Sequence, residues 1–300
     1  MAQSFNDSAD LKQAMVQKVR SFQESGAWVS RPLHWDGETG SLVGALLESE
    51  DLDQWNSQFG LPKWLALLLD MVAATISTPK EGMAAQLALL EAVPVGIDLD
   101  RQGNLLILRF LRETEKDLAF LDADHPLRVS LRDAMELHDM ELAGAAPKPA
   151  LWRKVRSAAI AETDRAVKES PEAQFGAVIE AATWSPRTSR SVVSDTFRSW
   201  VNARRDAAVQ RQVGERGLLT VKETKSLLEK IHEEEKKKRK DKKEFIHVFG
   251  ILEEKYPKEH ASMMDFLRTQ HKESLGQWEN ALGILLGVFE EAHCPDRCTC

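Results

Sequence analysis

Cysteine is nearly missing from this 300-residue chain. Its only three, Cys294, Cys298 and Cys300, fall at the very end. The core therefore uses none, which argues against a disulfide-stapled secreted fold. Tyrosine occurs once, and runs of β-branched residues are scarce. Long apolar runs are missing too. The most apolar stretch, 59–74, is too short and too interrupted for a membrane span, which needs roughly 20 apolar residues. No nucleophile elbow, HExxH pair, glycine-rich nucleotide loop or Cys/His dyad is present. Residues 1–10 are polar and contain no signal-peptide pattern, so the expected location is the cytoplasm.

What remains is rich in Ala, Leu, Glu, Lys, Arg and Gln, the strong helix formers. Hydrophobic residues make up 43% of the chain and charged residues 29%, the profile of a globular protein with a real core. The expected fold is all-α: an irregular multi-helix bundle, or two packed helical subdomains. The net charge of −7 is uneven. Residues 1–150 carry 13 Lys+Arg against 23 Asp+Glu, and residues 151–300 carry 27 against 24. The halves can therefore face different partners, or each other.

The stretch Trp64 to Ala74 has a single polar residue, Asp70. A helix apolar almost all round is a core helix, and the rest of the chain is expected to pack around it. Before it, an amphipathic helix is marked by Leu11, Met15, Val16, Val19 and Phe22. Residues 26–40 break that pattern and read as an ordered loop, because Trp28 and Trp35 within it should dock on something. Short helices are expected at 41–48 and 51–58. Thr78-Pro79-Lys80-Glu81 predicts a capped helix start, and 93–97 predicts a break. Helices follow at 105–120, with 105–108 also fitting a short strand, and from 124 to about 144. Pro147 and Pro149 mark the expected joint between an acidic helical domain, 1–146, and a second helical domain, 150–292. Residues 293–300 form a Cys-containing tail. In the second domain, helices are expected at 151–169, from 170 to about 184, and at 188–213. A further one opens at the capping box Thr220-Val221-Lys222-Glu223, followed by helices at 243–254, 258–270 and 273–292. No fixed-period repeat is present.

Phe59-Gly60-Leu61-Pro62, then Trp64-Leu65, then Leu89-Leu90-Glu91-Ala92-Val93-Pro94-Val95-Gly96-Ile97-Asp98-Leu99 resembles an uncharacterised bacterial all-helical family. Its members share a "G-I-P-x-W-L" start and an "A-I-P-V-G-A-D-L" end around one helical hairpin. The resemblance covers about residues 59–110. Between the motifs the family has "D-x-I-F-E-G", from which Asp70-Met71-Val72-Ala73-Ala74-Thr75-Ile76 departs. The resemblance implies a helical fold and a bacterial origin, and no activity.

Five features bear candidate chemistry. His293, Cys294, Cys298 and Cys300 offer imidazole and thiolate ligands for Zn²⁺, the one cofactor the sequence suggests; the same residues also fit a frayed chain end. Lys236, Lys237, Lys238, Arg239 and Lys240 begin a basic run, 236–243, suited to nucleic acid or an anionic membrane. They also fit a solvated helix face, with Glu233, Glu234 and Glu235 four residues ahead. Trp28 and Trp35 are candidate binding residues, since Trp is enriched at interaction hot spots. His138 and Asp139 form an adjacent pair of the kind used by helical metal-dependent hydrolases. A further pair, His260 and His271, could meet across helices with Glu290 or Glu291 nearby, but reads first as two surface histidines. The reading that follows is a non-enzymatic adaptor that binds another protein. A hydrolase using His138 and Asp139, or anion association through 236–243, is the alternative.

Overall fold

The computed structural model describes residues 3–76, 78–238 and 245–293. Among them are thirteen α-helices and no strand, only isolated bridges that join Trp28 and Trp35 to Gly40. The helices are α1 (Ala9–Glu24), α2 (Leu42–Leu47), α3 (Asp53–Phe59), α4 (Lys63–Ala74), α5 (Pro79–Ala92), α6 (Asp100–Asp117) and α7 (Pro126–Leu142). They continue with α8 (Pro149–Arg165), α9 (Pro171–Ala182), α10 (Val192–Arg216), α11 (Val221–Lys238), α12 (Val248–Lys255) and α13 (Pro257–His293). The all-α expectation is met.

Two compact units form, but not where the prolines suggested. One comprises residues 1–203 with 277–300, and the other residues 204–276. Pro147 instead sits in the connection between α7 and α8, which pack against each other inside the first unit. Pro149 opens α8, where its missing N–H leaves no bond unmade. The division falls within α10 and α13. Helical propensity carries the chain through both points, so no composition change marks them.

In the first unit α4 is the buried centre. Trp64, Leu65, Ala66, Leu68, Leu69, Val72 and Ala73 are all buried. Five indoles are buried in this unit: Trp55, Trp64, Trp152, Trp200 and Trp278. Trp64 stacks on Phe289 of α13, ring centroids 6.4 Å apart. Trp278 donates its indole N–H to the Val72 carbonyl at 2.9 Å, across 206 residues of sequence. That carbonyl lies in the last turn of α4, where helix carbonyls have no partner of their own.

The two stretches of the motif, 59–62 and 93–97, meet at the N-terminal segment. A turn over Ser4–Asp7 holds Phe5, Asn6 and Asp7 at positive φ. The Ser4 N–H donates to the Ile97 carbonyl at 2.9 Å, and the Ser4 carbonyl accepts from Gly96 N–H at 3.0 Å. The Ser4 hydroxyl donates to the Pro94 carbonyl at 2.5 Å, and Asn6 donates to the Gln58 carbonyl at 3.0 Å. Phe5 is fully buried. Gly60, at φ +66°, ends α3 rather than starting α4. A Cβ there would collide with the Gln3 carbonyl.

The second unit has its own small core of Ile231, Leu252 and Met263, covered by Leu227, Val248, Ile251 and Tyr256. Arg216 ties it with hydrogen bonds to Thr269 at 3.0 Å and Asp265 at 2.9 Å.

Local signals fared unevenly. The capping box at Thr220 is made: its hydroxyl accepts from Glu223 N–H at 3.2 Å, and its own N–H donates to the Glu223 carboxylate at 2.8 Å. The box at Thr78 is not, since its hydroxyl makes no hydrogen bond. Residues 105–108 are helix, within α6. The helices expected at 258–270 and 273–292 are one, the 37-residue α13. Residues 268–274 lack an apolar stripe but contain no helix breaker.

Gly60→Ala is expected to destabilise the chain by about 1–3 kcal/mol from the left-handed backbone alone, and by more once the Gln3 carbonyl is displaced. Urea unfolding of the two proteins measures the difference, and an unchanged midpoint would show that the N-terminal segment does not hold the two motifs.

Candidate interaction sites

The loop bearing Trp28 and Trp35 is organised by Asp70, the lone polar residue of α4. The Asp70 carboxylate is buried. It accepts from the Leu33 N–H at 2.8 Å and the Val43 N–H at 3.2 Å, and bonds the Ser41 hydroxyl. Leu33 is held at φ +55°, a conformation that costs a non-glycine residue about 1 kcal/mol or more. Val43 lies in the first turn of α2, whose orphan N–H groups attract a carboxylate. Ser41 caps the same helix, accepting from Gly44 N–H at 3.0 Å. Gly44 has no room for a side chain, because the His34 carbonyl occupies the place of its Cβ.

Both tryptophans are docked, as their place in a loop implies. The Trp28 indole donates to the Gln86 side chain at 2.9 Å, and Gln86 donates to the Leu69 carbonyl at 3.1 Å. Trp35 lies against Gly40 and 6.2 Å from the Phe22 ring. Each is half-buried. His34 beside them reaches Glu50 at 3.4 Å and Asp36 at 3.5 Å.

His138 and Asp139 point to different surroundings. His138 is fully buried on α7 and Asp139 is exposed. Nε2 of His138 lies 2.8 Å from the Ala182 carbonyl and Nδ1 lies 2.8 Å from the Asn104 carboxamide. Burial lowers its pKa to about 4, so at neutral pH the ring is uncharged. A carbonyl can only accept, so Nε2–H donates to Ala182. Nδ1 faces Oδ1 of the Asn104 side chain. Both nitrogens are spent on structure, which leaves neither for a metal. The Trp152 ring meets the imidazole edge-on at 4.9 Å. One turn along α7, buried Glu141 pairs with Arg187 and accepts from the Ser185 hydroxyl at 3.1 Å. Among the described residues no group of three or more His, Cys, Asp or Glu side chains could hold a metal. His260 and His271 both belong to α13, so they do not meet across helices.

Lys236, Lys237 and Lys238 are exposed at the end of α11. The ion pairs run three residues apart, Lys238 with Glu235 at 2.9 Å and Lys236 with Glu233 at 3.9 Å, rather than four. Lys255 of α12 also reaches Glu235, at 3.1 Å. Hydrogen bonds from the two lysines hold the Glu235 carboxyl below its usual range. Two of the three described lysines are thus already neutralised locally. Arg239 and Lys240 lie outside the described residues, as do Cys294, Cys298 and Cys300; His293 is the last residue of α13.

Two concave sites were not expected. In the second unit, α11 and α12 enclose a cleft of about 530 Å³ lined by Leu228, Glu229, His232, Glu233, Val248 and Phe249. In the first, α6 and the end of α13 enclose a groove of about 460 Å³. The periodicity of each helix was legible, but not which faces stay uncovered. No helix among the described residues is long and apolar enough to cross a membrane. No protein-family model, curated protein or solved structure matches the chain.

Two buried groups give opposite pH dependences. Burial raises the Asp70 pKa to about 6. Its folded value exceeds its unfolded one, so its contribution is present below about pH 4 and lost as pH rises through about 6. His138 is the reverse: its contribution is present above about pH 6.5 and lost as pH falls through about 4. Each shift is worth up to about 3 kcal/mol. Urea unfolding across this range should show the wild type losing stability relative to Asp70→Asn as pH rises from about 4 to 6. Relative to His138→Gln it should lose stability as pH falls. Parallel curves for all three would contradict both assignments.

Proposed function

We propose that the protein is a non-enzymatic, cytoplasmic bacterial interaction protein. Its second unit takes an amphipathic segment of a partner protein in the α11–α12 cleft. One observation carries this reading. Phe249, on α12, is 55% exposed and lines the cleft together with Leu228 and Val248. An aromatic side chain left in water next to a preformed apolar cleft is a site for a partner's apolar side chain. The cleft is rimmed by Glu229 and Glu233, so the partner segment carries apolar anchors flanked by Lys or Arg, the helix-in-groove mode of recognition.

Two further features support the interaction reading. The sequence carries no catalytic motif. The one helical His-Asp pair is divided between core and surface, with both imidazole nitrogens of His138 engaged. The bacterial part rests on the sequence resemblance, and the cytoplasmic part on the scarcity of cysteine.

The test compares the wild type with Phe249→Glu and Glu233→Lys, crosslinked in cells and analysed by mass spectrometry. Phe249 is exposed, so its substitution should leave the melting temperature unchanged. A specific crosslinked partner is expected, with capture lowered about tenfold by Phe249→Glu, the scale of a hot-spot residue. Equal capture by all three proteins would overturn the reading.

A further inference from the structure

The first unit carries a concave site of different chemistry. Arg109, Arg112 and Lys116 of α6 line one wall of the groove, and Asn280, Gly283 and Gly287 of α13 line the other. The three cations recur at helical spacing on one face and span about 10 Å, at 1.5 Å per residue. Arg109 bridges the groove with two hydrogen bonds to Glu291, at 2.7 and 2.8 Å. Lys116 bonds Glu113 of its own helix at 2.6 Å. Arg112 is exposed and forms no ion pair among the described residues. The lining thus holds three cations against two carboxylates, in a chain whose net charge is −7. Donors remain on all three: an arginine has five N–H groups and a lysine three, and the two ion pairs use only some of them.

The opposite wall is kept low by glycine. A helix-interior glycine costs about 1 kcal/mol relative to alanine. Gly283 and Gly287 are not required by packing, because a Cβ on either would meet nothing within 4 Å. Their effect is to leave the groove open to its backbone. Its volume lies within the range of about 300–1,000 Å³ typical of small-ligand sites.

We propose that this groove binds a small polyanion, a soluble ligand with two or more linked phosphate groups. Arg109, Arg112 and Lys116 anchor it, and Gly283 and Gly287 make room for its body. The planar guanidinium fork matches phosphate oxygens in pairs, and two arginines one turn apart suit successive phosphates better than a single anion.

Calorimetric titration of the full chain with tripolyphosphate, at low and at physiological salt, tests this. One-to-one binding is expected, weaker at the higher salt, and orthophosphate should bind far less tightly. Arg112→Glu should weaken tripolyphosphate binding by about tenfold or more. Gly287→Leu should abolish it while keeping or raising the melting temperature, since the added side chain fills empty space in a helix. If Gly287→Leu melts early, the exposed Arg112→Glu variant still decides. No binding by the wild type overturns the proposal. So does equal binding by wild type and Arg112→Glu, which is adventitious surface attraction. Binding of a glutamate hexapeptide in place of tripolyphosphate also overturns it, and makes the groove a docking site for an acidic segment.

Discussion

The carboxylate of Asp70 sits in the most apolar helix of the chain, where an uncompensated charge would be prohibitive. It is tolerated because two backbone N–H groups and one hydroxyl converge on it. Those donors come from the 26–40 loop and from the first turn of α2, so one side chain fixes both to α4. The arrangement is interdependent. Leu33 holds a left-handed backbone with its N–H turned toward Asp70, and Gly44 lets the His34 carbonyl close in from the other side. Trp28 adds a second tie through Gln86 to the Leu69 carbonyl, the residue next to Asp70. Loss of the carboxylate would leave the Leu33 and Val43 N–H groups buried without partners, each at about 1–3 kcal/mol.

A second polar knot lies among α6, α7 and the end of α9. His138 is there because an imidazole presents a nitrogen on each side of its ring, which suits a site between a backbone carbonyl and a carboxamide. Glu141, on the same face one turn on, needs and finds a cation in Arg187. The two knots divide the buried ionisable groups by task. One holds a loop to a helix, and the other holds three helices in register. Buried polar groups of this kind specify which surfaces meet, whereas apolar packing alone tolerates many arrangements.

The concave sites sit at the opposite extreme, where helix faces are left uncovered. The α11–α12 cleft presents apolar carbon with an acidic rim, and the α6–α13 groove presents guanidinium and ammonium groups over bare helix backbone. Both arise where a helix turns a face outward instead of into a core. In α11 the inward face is short, because Ile231 alone of its residues is buried. In α13 the outward face is the glycine side, since Ala281, Leu285, Val288 and Phe289 are the residues that enter the core.

By itself the sequence determined the helical fold, the buried position of α4, the ordering of the tryptophan loop and most helix starts. These depend on local quantities: propensity, apolar periodicity, and Pro, Thr or Gly at element ends. Only the tertiary structure decided the rest. Where the chain divides was not legible, because the division falls inside two helices whose propensity continues unbroken. Whether Thr78 or Thr220 closes its capping box depended on the direction each hydroxyl is free to take. That Asp70 is a hub, and that His138 is a structural strut, depended on donors and acceptors brought from 27 to 44 residues away. The meeting of 59–62 with 93–97 at Ser4 depended on a hydrogen-bonded turn with positive φ at residues that rarely adopt it. A residue type sets what a side chain can bond, and only its neighbours in space set which of those bonds is made.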